Sequence, residues 1–354
     1  MKGIILHGGH GTRLRPLTHT GPKQLLPIAN KPMSEYCIES LKEAGITDIA
    51  VVIGGIGSER VKEYYKNGKE FGVNLTYVKQ DQPKGIADAV NLCKDFINNE
   101  KFMVFLGDNI ILKSIAEFAN KFENDDVDAS ILLCKVDNPS RFGIANIENG
   151  KIKEIIEKPK NPPTNLAVTG IYFLTPKIFE IIKNQKPSWR NELEITDALD
   201  LLLKENDNIT YYMITDYWKD TGTPEDIIHA NKAILENSIS KIQGKVANGV
   251  KKEGTVIVEE GAEIEENVEL IGPVLIGKNS IIKQGSKIGP NTTIGNDCVI
   301  DKAKIKNSII MNNSKILIDL NLGNSIIASN SELDSKQNLD EETFLLGEGT
   351  KIFL

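Results

Sequence analysis

Cysteine is scarce in this sequence, and the few cysteines lie far apart. Cys37, Cys93, Cys134 and Cys298 are the only ones in 354 residues, and no two of them form a CxxC pair. This spacing predicts neither a zinc site nor a disulfide framework. Each thiol is therefore expected to be a small buried apolar side chain in a protein of the reducing cytoplasm.

Long hydrophobic runs and an excess of positive charge are also missing. The apolar runs are too short to span a bilayer, and the opening MKGIIL lacks the apolar stretch and cleavage site of a signal peptide. The net charge of −7 is opposite in sign to a surface that binds nucleic acid. We therefore expect no membrane or nucleic-acid partner, and a cytoplasmic globular protein long enough for two domains.

The first two thirds of the chain alternate strand patterns with helical patterns. The strand-like runs are 3–6, 48–53, 75–78, 102–106 and 129–135, and the helical patterns are 34–44, 85–97 and 114–122. This alternation predicts a Rossmann-like α/β domain with a mixed, mostly parallel sheet and helices on both faces. Such sheets bind ligands beyond the carboxyl ends of their strands.

The last third has a different period, because aliphatic residues recur every six positions. The repeated positions are Val258, Ile264, Leu270, Ile276, Ile282, Ile288, Ile294 and Ile300. A period of six is typical of a parallel β-helix, and the pattern resembles the left-handed hexapeptide form. We predict an α/β domain over 1–237, a linker over 238–254 and a left-handed β-helix over 255–354, whose coils become irregular beyond Ile300.

The glycine-rich loop LHGGHGTRLRP, residues 6–16, follows the first predicted strand. A dinucleotide fingerprint would need glycine where Leu14 stands, and no Walker A sequence is present. Two imidazoles, His7 and His10, are too few for a closed zinc site. The remaining interpretation is a polyphosphate cradle made by glycine N–H groups, with the Arg13 guanidinium adding charge.

The motifs around this loop resemble the sugar-nucleotide pyrophosphorylases. G-G-x-G-T-R-L-x-P is followed by K-Q-L-L-P, by E-K-P at 157–159 and by W-K-D-T-G-T at 218–223. The similarity is greatest to the thymidylyltransferase branch in its long form, which ends in a β-helix. It implies the reaction of dTTP with glucose 1-phosphate to dTDP-glucose and pyrophosphate, with Mg²⁺ as cofactor, by a nucleotidyltransferase domain in a homo-oligomer.

The resemblance also implies the roles of individual residues. The residues expected to bind the nucleotide are Leu6, Gly8, Gly9, Gly11, Thr12, Arg13, Gln24, Gln80, Pro83, Gly85 and Asp108. The residues expected to bind the sugar are Asn109, Gly143, Glu157, Lys158, Val168, Thr169, Glu194 and Trp218. Asp108 and Asp220 would hold the metal, and the catalytic group would be Arg13, Lys23, Asp108, Lys158 and Asp220.

Other functions stay open from the sequence. Uridylyl or guanylyl transfer to a hexose 1-phosphate needs the same motifs. An acetyltransferase β-helix would need a base, but all four histidines precede the repeats. A non-catalytic regulatory subunit would be expected to lack the catalytic charges. His7 and His10 stand where the family commonly has small residues, so His7 either contacts the nucleotide or packs beside the loop.

Overall fold

The computed structural model describes residues 1–9, 11–205, 208–334, 341–342 and 344–353. His10 lies outside the described residues, so its predicted place in the glycine-rich loop has no structural counterpart here. The chain divides into two compact units, Met1–His10 with Met33–Asp220 and Gly11–Pro32 with Thr221–Leu354. Within the described part of the chain, no helix is long and apolar enough to cross a membrane.

The helices and the strands up to Asp220 have the following bounds. The helices are α1 (Met33–Glu43), α2 (Glu59–Tyr65), α3 (Ile86–Asn91), α4 (Lys94–Ile97), α5 (Ala116–Asn124), α6 (Ile178–Asn184), α7 (Ile195–Lys204) and α8 (Pro224–Glu236). The strands are β1 (Lys2–His7), β2 (Pro27–Ile28), β3 (Lys31–Pro32), β4 (Asp48–Ile53), β5 (Asn74–Lys79), β6 (Phe102–Leu106), β7 (Asn109–Ile111), β8 (Ala129–Lys135), β9 (Ile144–Glu148), β10 (Lys151–Ile156), β11 (Leu166–Leu174), β12 (Ile209–Ile214) and β13 (Trp218–Asp220).

The first unit is built on a mixed nine-stranded sheet. Seven of its strands have the order β10-β9-β11-β6-β1-β4-β5, and β8 and β12 join through β11. Strands β6, β1, β4 and β5 are parallel to one another, whereas β11 runs antiparallel to β6. The predicted Rossmann-like mixed sheet is therefore confirmed.

The core of this unit explains why the parallel strands are apolar along their whole length. Both faces of β1 are buried, since Ile4 and Ile5 point to opposite sides and are each fully buried. One face packs on residues of α3, α6 and α7. Helix α1 packs against β1 and α5.

Most predicted elements differ from the observed ones only at their ends. The helical pattern over 85–97 is the exception, because it forms two helices, α3 and α4, separated by Leu92 and Cys93. Both Leu92 and Cys93 have helical or near-helical backbone angles, so the continuous apolar spacing remains while the regular helix is interrupted.

The second unit contains twenty short strands beyond α8. They are β14 (Lys241–Ile242), β15 (Lys245–Val246), β16 (Lys251–Glu253), β17 (Val256–Val258), β18 (Glu263–Ile264), β19 (Glu269–Ile271), β20 (Val274–Ile276), β21 (Ile281–Ile282), β22 (Lys287–Ile288), β23 (Thr292–Ile294), β24 (Val299–Ile300), β25 (Lys304–Lys306), β26 (Ile309–Ile310), β27 (Lys315–Leu317), β28 (Asn321–Gly323), β29 (Ile326–Ile327), β30 (Glu332–Asp334), β31 (Glu341–Glu342), β32 (Leu345–Leu346) and β33 (Lys351–Phe353).

These strands form three parallel sheets, and each sheet takes every third strand. The orders begin β14-β17-β20, β15-β18-β21 and β16-β19-β22. Every turn of the chain therefore adds one strand to each sheet, which is the arrangement of a parallel β-helix. The six-residue positions, Ile282 and Ile300 among them, fill its interior and are fully buried.

The β-helix differs from the predicted one in where it begins, and its coils differ in length. It begins earlier, because β14, β15 and β16 lie in the predicted linker and pair with β17, β18 and β19. Its coils also shorten. Val256 pairs with Val274, an interval of 18 residues, whereas Thr293 pairs with Ile309, an interval of 16. Shorter turns between the strands explain the irregular spacing after Ile300.

The two compact units do not divide at the predicted domain boundary. The segment Gly11–Pro32 belongs to the second unit, although the sequence pattern placed it within an N-terminal domain over 1–237. The hairpin of β2 and β3 lies in this segment, and β2 packs against α8. Helix α8 in turn packs on β23 of the β-helix.

Candidate active site

The carboxyl ends of the parallel strands meet at one edge of the first sheet. His7 pairs with Ile53, Ile53 with Lys79, and Leu6 with Leu106. The predicted ligand-binding segments that start at Gly8, Gln80 and Asp108 therefore leave the same edge of the sheet. This is where open α/β sheets bind their ligands.

The amide of Gln80 has a defined orientation at this edge. Its Nε2 donates to Asp88 Oδ2 at 2.8 Å and to the Gly85 carbonyl at 3.3 Å. Its Oε1 lies 3.7 Å from the position a Cβ on Gly8 would occupy. Since the donor is used by the protein, the oxygen offers an acceptor beside Gly8. Such an acceptor complements a base that presents an N–H group.

Gly85 has a backbone that only glycine adopts readily. Its φ is 109°, and a Cβ there would lie 2.4 Å from the Leu193 carbonyl oxygen. The Leu193 backbone brackets this turn, because its N–H donates to the Lys84 carbonyl and its carbonyl accepts from Ala87 N–H. Pro83 lies exposed in the same loop.

The two predicted metal ligands lie at the ends of two paired strands, since Asp108 immediately precedes β7 and Asp220 is the last residue of β13. Strand β13 runs antiparallel to β7, and this register places Asp220 opposite Asn109, the residue after Asp108. Asn109 Nδ2 donates to Asp108 Oδ1 at 3.1 Å. Trp218 Nε1 donates to Asn109 Oδ1 at 2.7 Å and to the Thr169 carbonyl at 3.0 Å. These contacts hold the strand ends that bear both carboxylates.

This donor set fits a magnesium ion better than a transition metal. Among the described residues, no three His, Cys, Asp or Glu side chains form a group that could hold a metal by themselves. Mg²⁺ commonly uses one or two carboxylates and completes its shell with water and substrate phosphates. Asp108 and Asp220 would supply those carboxylates.

Glu157 is the centre of a polar cluster among the predicted sugar-binding residues. Its Oε2 accepts from Thr196 Oγ1 at 2.9 Å, and its Oε1 lies 2.9 Å from Lys158 Nζ. Arg190 Nη1 lies 3.5 Å from the same Oε1 and 3.2 Å from Glu194 Oε1. The two carboxylates and two cations can bind sugar hydroxyls and a phosphate together.

Burial raises the pKa of Glu194, the second carboxyl group of this cluster. The side chain of Glu194 is almost completely buried, and this burial raises its pKa, as does the nearby Glu157 charge. Arg190 and a hydrogen bond from Ser188 Oγ oppose that rise. Donors therefore hold Glu194 on one side, and its carboxyl oxygens can accept a hydrogen bond from a sugar hydroxyl.

Backbone hydrogen bonds hold Lys158 and Val168 against the segment that contains Phe142 and Gly143. Lys158 N–H donates to the Phe142 carbonyl at 3.1 Å, and Val168 N–H donates to the Gly143 carbonyl at 2.9 Å. Lys158 has a φ of 41°, a left-handed backbone that is strained for lysine. This strained turn directs the ammonium group back to Glu157.

Some predicted residues can serve a ligand only through their backbone. The side chains of Leu6 and Val168 belong to the hydrophobic core. The Thr169 hydroxyl is buried and donates to the Leu132 carbonyl at 2.9 Å. These three side chains pack the sheet instead of facing a substrate.

Of the remaining predicted nucleotide-binding residues, Gly9 lies in the first unit with a φ of 97°, and Gly11, Thr12, Arg13 and Gln24 lie in the second. Gly11 and Thr12 begin the turn Thr12–Leu14, and Thr18 Oγ1 donates to the Gly11 carbonyl at 2.7 Å. The Arg13 guanidinium lies over Gly222, where a Cβ would approach its Nη2 to 2.8 Å. Lys23 begins a second turn, Lys23–Leu25, which also contains the buried Gln24.

His7 is buried at the end of β1. Its side chain is 1% exposed, and neither ring nitrogen has a hydrogen-bond partner among the residues that the structure describes. Burial lowers its pKa to about 3, and the Asp108 carboxylate partly opposes that change. Its ring meets the edge of the Tyr65 ring at 6.2 Å between centroids. The imidazole is therefore neutral in the folded protein and packs against Tyr65.

Three residues that contact the predicted site residues were not among the predicted ones: Asp88 beside Gln80, and Arg190 and Thr196 beside Glu157. Asp88 orients Gln80, Arg190 joins two glutamates, and Thr196 donates to Glu157. Arg190 had a detectable signal, because Glu192 and Glu194 follow it at ion-pairing distance along the chain. The other two are ordinary helix residues in sequence.

Comparison with known proteins gives the family of this chain. The nucleotidyl transferase family matches residues 2–237, and the GMPPB C-terminal domain matches residues 270–353. The chain is 41% identical over 307 residues to the low-salt glycan biosynthesis nucleotidyltransferase Agl11 of Haloferax volcanii, and 37% identical over 307 residues to glucose-1-phosphate thymidylyltransferase of Streptomyces griseus. Each alignment covers 86% of both chains.

A solved structure of a protein with a related name is similar to this chain as well. A crystal structure assigned to a glucose-1-phosphate thymidylyltransferase of Bacillus anthracis, in complex with sucrose, is 44% identical, with a TM-score of 0.64. The alignment covers 68% of this chain and 98% of the chain in that crystal structure. The fold and these similarities are those of the sugar-nucleotide nucleotidyltransferases. This chain belongs to the nucleotidyl transferase family.

Proposed function

We propose that this chain transfers a thymidylyl group from dTTP to glucose 1-phosphate. The products are dTDP-glucose and pyrophosphate. The pairing of β7 with β13 is the structural observation that supports this reaction most, because it puts two carboxylates at neighbouring strand ends. The choice of dTTP and glucose 1-phosphate is supported by similarity to proteins named for that activity.

The reaction is an in-line displacement at phosphorus. A phosphate oxygen of the sugar phosphate forms a bond to the α-phosphorus, and the bond from that phosphorus to the bridging oxygen breaks. Pyrophosphate leaves with the electron pair of that bond. The attacking phosphate is already ionised near neutral pH, so the enzyme needs no general base. Positioning and charge neutralisation supply the rate enhancement.

Each charged residue has a role in this proposal. Lys158 holds the attacking phosphate, and Glu157 and Glu194 accept hydrogen bonds from sugar hydroxyls. Arg13 binds the leaving pyrophosphate, and Lys23 binds phosphate near the reacting phosphorus. Gln80 Oε1 accepts the imide N–H of the thymine base. Bound Mg²⁺, held by Asp108 and Asp220, would neutralise phosphate charge.

The second unit has a structural role in this proposal. We take its β-helix to be left-handed, as the six-residue repeat is typical of that form, and we expect copies of the chain to associate into a homo-oligomer. Ile239 and Ile242 are exposed near the first coil, where apolar surface is available. Light scattering of the purified protein measures this association.

The decisive test of the reaction is pyrophosphate release from a grid of substrates. We expect dTTP with glucose 1-phosphate to give the highest kcat/KM. A preference for UTP would favour uridylyl transfer, and CoA release from acetyl-CoA with an amino sugar phosphate would add an acetyltransferase.

Asp108→Asn tests the metal assignment in the same assay. The change keeps the shape of the side chain but removes its charge, so we expect kcat to fall by at least about a hundredfold with the fold intact. Circular dichroism checks the fold. Asp48→Asn, at the exposed start of β4, is the matched control and should leave kcat unchanged. Near-normal turnover of Asp108→Asn would refute the assignment.

A further inference from the structure

We propose that Asn231 is a positioning residue for the nucleotide-binding segment Gly11–Pro32. It holds this segment on the β-helix, so that the C-terminal repeats help to place Arg13 and Lys23. The inference rests on the proposed function, which assigns these two cations to the triphosphate.

Asn231 is a completely buried amide that joins three parts of the second unit. It lies on α8 and is 0% exposed. Its Oδ1 accepts from Ala29 N–H at 2.9 Å and from Thr293 Oγ1 at 2.8 Å. Its Nδ2 donates to the Asn291 carbonyl at 3.3 Å. One side chain thus connects the β2–β3 hairpin to strand β23 and its preceding turn.

The hairpin needs this support because its turn is strained. Ala29 and Asn30 form the two-residue loop between β2 and β3, with φ of 48° and 61°. Such a turn favours glycine or asparagine, and alanine keeps a positive φ only where the surrounding structure holds it. Asn231 binds the Ala29 N–H, and Asn30 Nδ2 donates to the Ile294 carbonyl at 2.9 Å.

The outer surface of the β-helix is adapted to this contact. Thr293 is the middle residue of β23. Because Ile294 beside it points into the β-helix core, Thr293 points outward, and yet it is fully buried. Leu275, Ile309 and Ile326 continue the same outward column in β20, β26 and β29 and are also buried. Outward positions of a repeat are normally polar, so this apolar column is a covered face.

The hairpin is directly continuous with Lys23. Leu26 N–H donates to the Lys23 carbonyl at 3.0 Å, and β2 begins at the next residue, Pro27. This stiff connection transmits a displacement of the hairpin to the lysine. A shift of about 1 Å in a charged group at a reaction centre can reduce the rate by about a hundredfold.

Paired substitutions at Thr293 and Asn231 test the inference in the full-length protein. Thr293→Val removes the hydroxyl at equal size, and Thr293→Ser retains it; Asn231→Leu removes all three hydrogen bonds. We expect Asn231→Leu to raise the KM for dTTP by about tenfold and the KM for glucose 1-phosphate by less than about twofold. Thr293→Val should raise the dTTP KM by a smaller factor, and Thr293→Ser should behave like the wild type.

The control separates positioning from general loss of stability. Ser280 is a buried β-helix residue whose hydroxyl donates to the Gly295 carbonyl and accepts from Cys298 N–H, so both of these hydrogen bonds lie within the β-helix and neither is made to the hairpin. Ser280→Ala should lower the melting temperature without changing the ratio of the two KM values. Equal KM changes in Ser280→Ala and Asn231→Leu would overturn the inference.

Hydrogen exchange provides a readout that needs no substrate. The Ala29 amide is itself a donor to Asn231, so its exchange should accelerate by about tenfold or more in Asn231→Leu and stay unchanged in Ser280→Ala. If the wild type uses no nucleotide, the proposed function fails while faster exchange still supports the anchoring by Asn231. Unchanged exchange, or faster exchange with an unchanged dTTP KM, would overturn the inference.

Discussion

His7 shows at the scale of one residue how burial alters an ionisable group. The ring stands at the end of β1, where the ligand-binding loops begin, and both of its nitrogens are buried. Burial of an imidazole disfavours its charged form. The neutral ring is therefore part of the folded state, and protonation must favour unfolding.

The pH dependence of stability follows from this. The pKa of His7 is about 3 in the folded protein and near the ordinary 6.5 when unfolded. The unfolded state therefore binds the extra proton first as pH falls, and stability is lost between about pH 6.5 and about pH 3. The loss is about 1.4 kcal/mol per pH unit.

Replacement of His7 by leucine should remove this loss. Leu fills the space without buried polar nitrogens, so His7→Leu should be at least as stable as the wild type near neutral pH. Its advantage should grow as pH falls below about 6.5, as measured by urea unfolding without divalent metal. A pH-independent difference for His7→Leu would contradict the expectation.

At the scale of elements, the sugar cluster depends on how β9 begins beside α7. Gly143 precedes β9, and a Cβ there would lie 2.5 Å from Thr196 Cγ2 and 3.3 Å from Glu157 Oε2. Thr196 lies in the first turn of α7, which cannot move without disturbing its buried residues. The position thus requires glycine because two elements approach closely, even though its φ is not positive.

Gly143→Ala should weaken sugar-phosphate binding. We expect the KM for the sugar phosphate to rise by about tenfold, because Thr196 and Glu157 must shift, while the nucleotide KM changes little. Gly150→Ala is the matched control, since Gly150 has a φ of 76° and open space around it. That control should lose about 1–2 kcal/mol of stability without a change in either KM. Unchanged sugar-phosphate affinity in Gly143→Ala would refute this role for Gly143.

On the scale of the whole molecule, the stability of the second unit comes from one repeated interior. Each coil buries aliphatic side chains against those of its neighbours, as Ile282 does between Ile264 and Ile300. In stacked repeats, each coil is stabilised by its contacts with the coils on both sides. A cavity in one coil should therefore weaken the unit that also contains Arg13 and Lys23.

A pair of substitutions within one strand measures this. Ile282 is fully buried inside β21, and Ile281 points outward on the same strand. Ile282→Ala should reduce the free energy of unfolding by about 2–5 kcal/mol. Ile281→Ala should cost clearly less, as followed by denaturant unfolding of the full chain. Equal losses would mean that the interior is not the main source of stability.

Sequence periodicity predicted much of the fold, and its failures have physical causes. Strand and helix patterns reflect which faces are buried, so β4 was predictable from residues 48–53 and the mostly parallel sheet from the alternation of strand and helix patterns. The early start of the β-helix was not, because β14–β16 lack the buried aliphatic positions that define the repeat; Lys241, Lys251 and Lys252 are exposed. The sequence motifs identified Glu157 and Lys158, whereas Asp88, Arg190 and Thr196 join the site through distant contacts.

The sequence by itself determined the kinds of chemistry available: glycine N–H groups and cations for phosphate, carboxylates at strand ends, and a six-residue repeat. Those depend on local spacing, which a chain retains before it folds. Only the tertiary structure decided that Asp220 lies opposite Asn109, that His7 is buried and neutral, and that Asn231 links a strained hairpin to Thr293. Each of these depends on strand register or on packing between residues far apart in the chain.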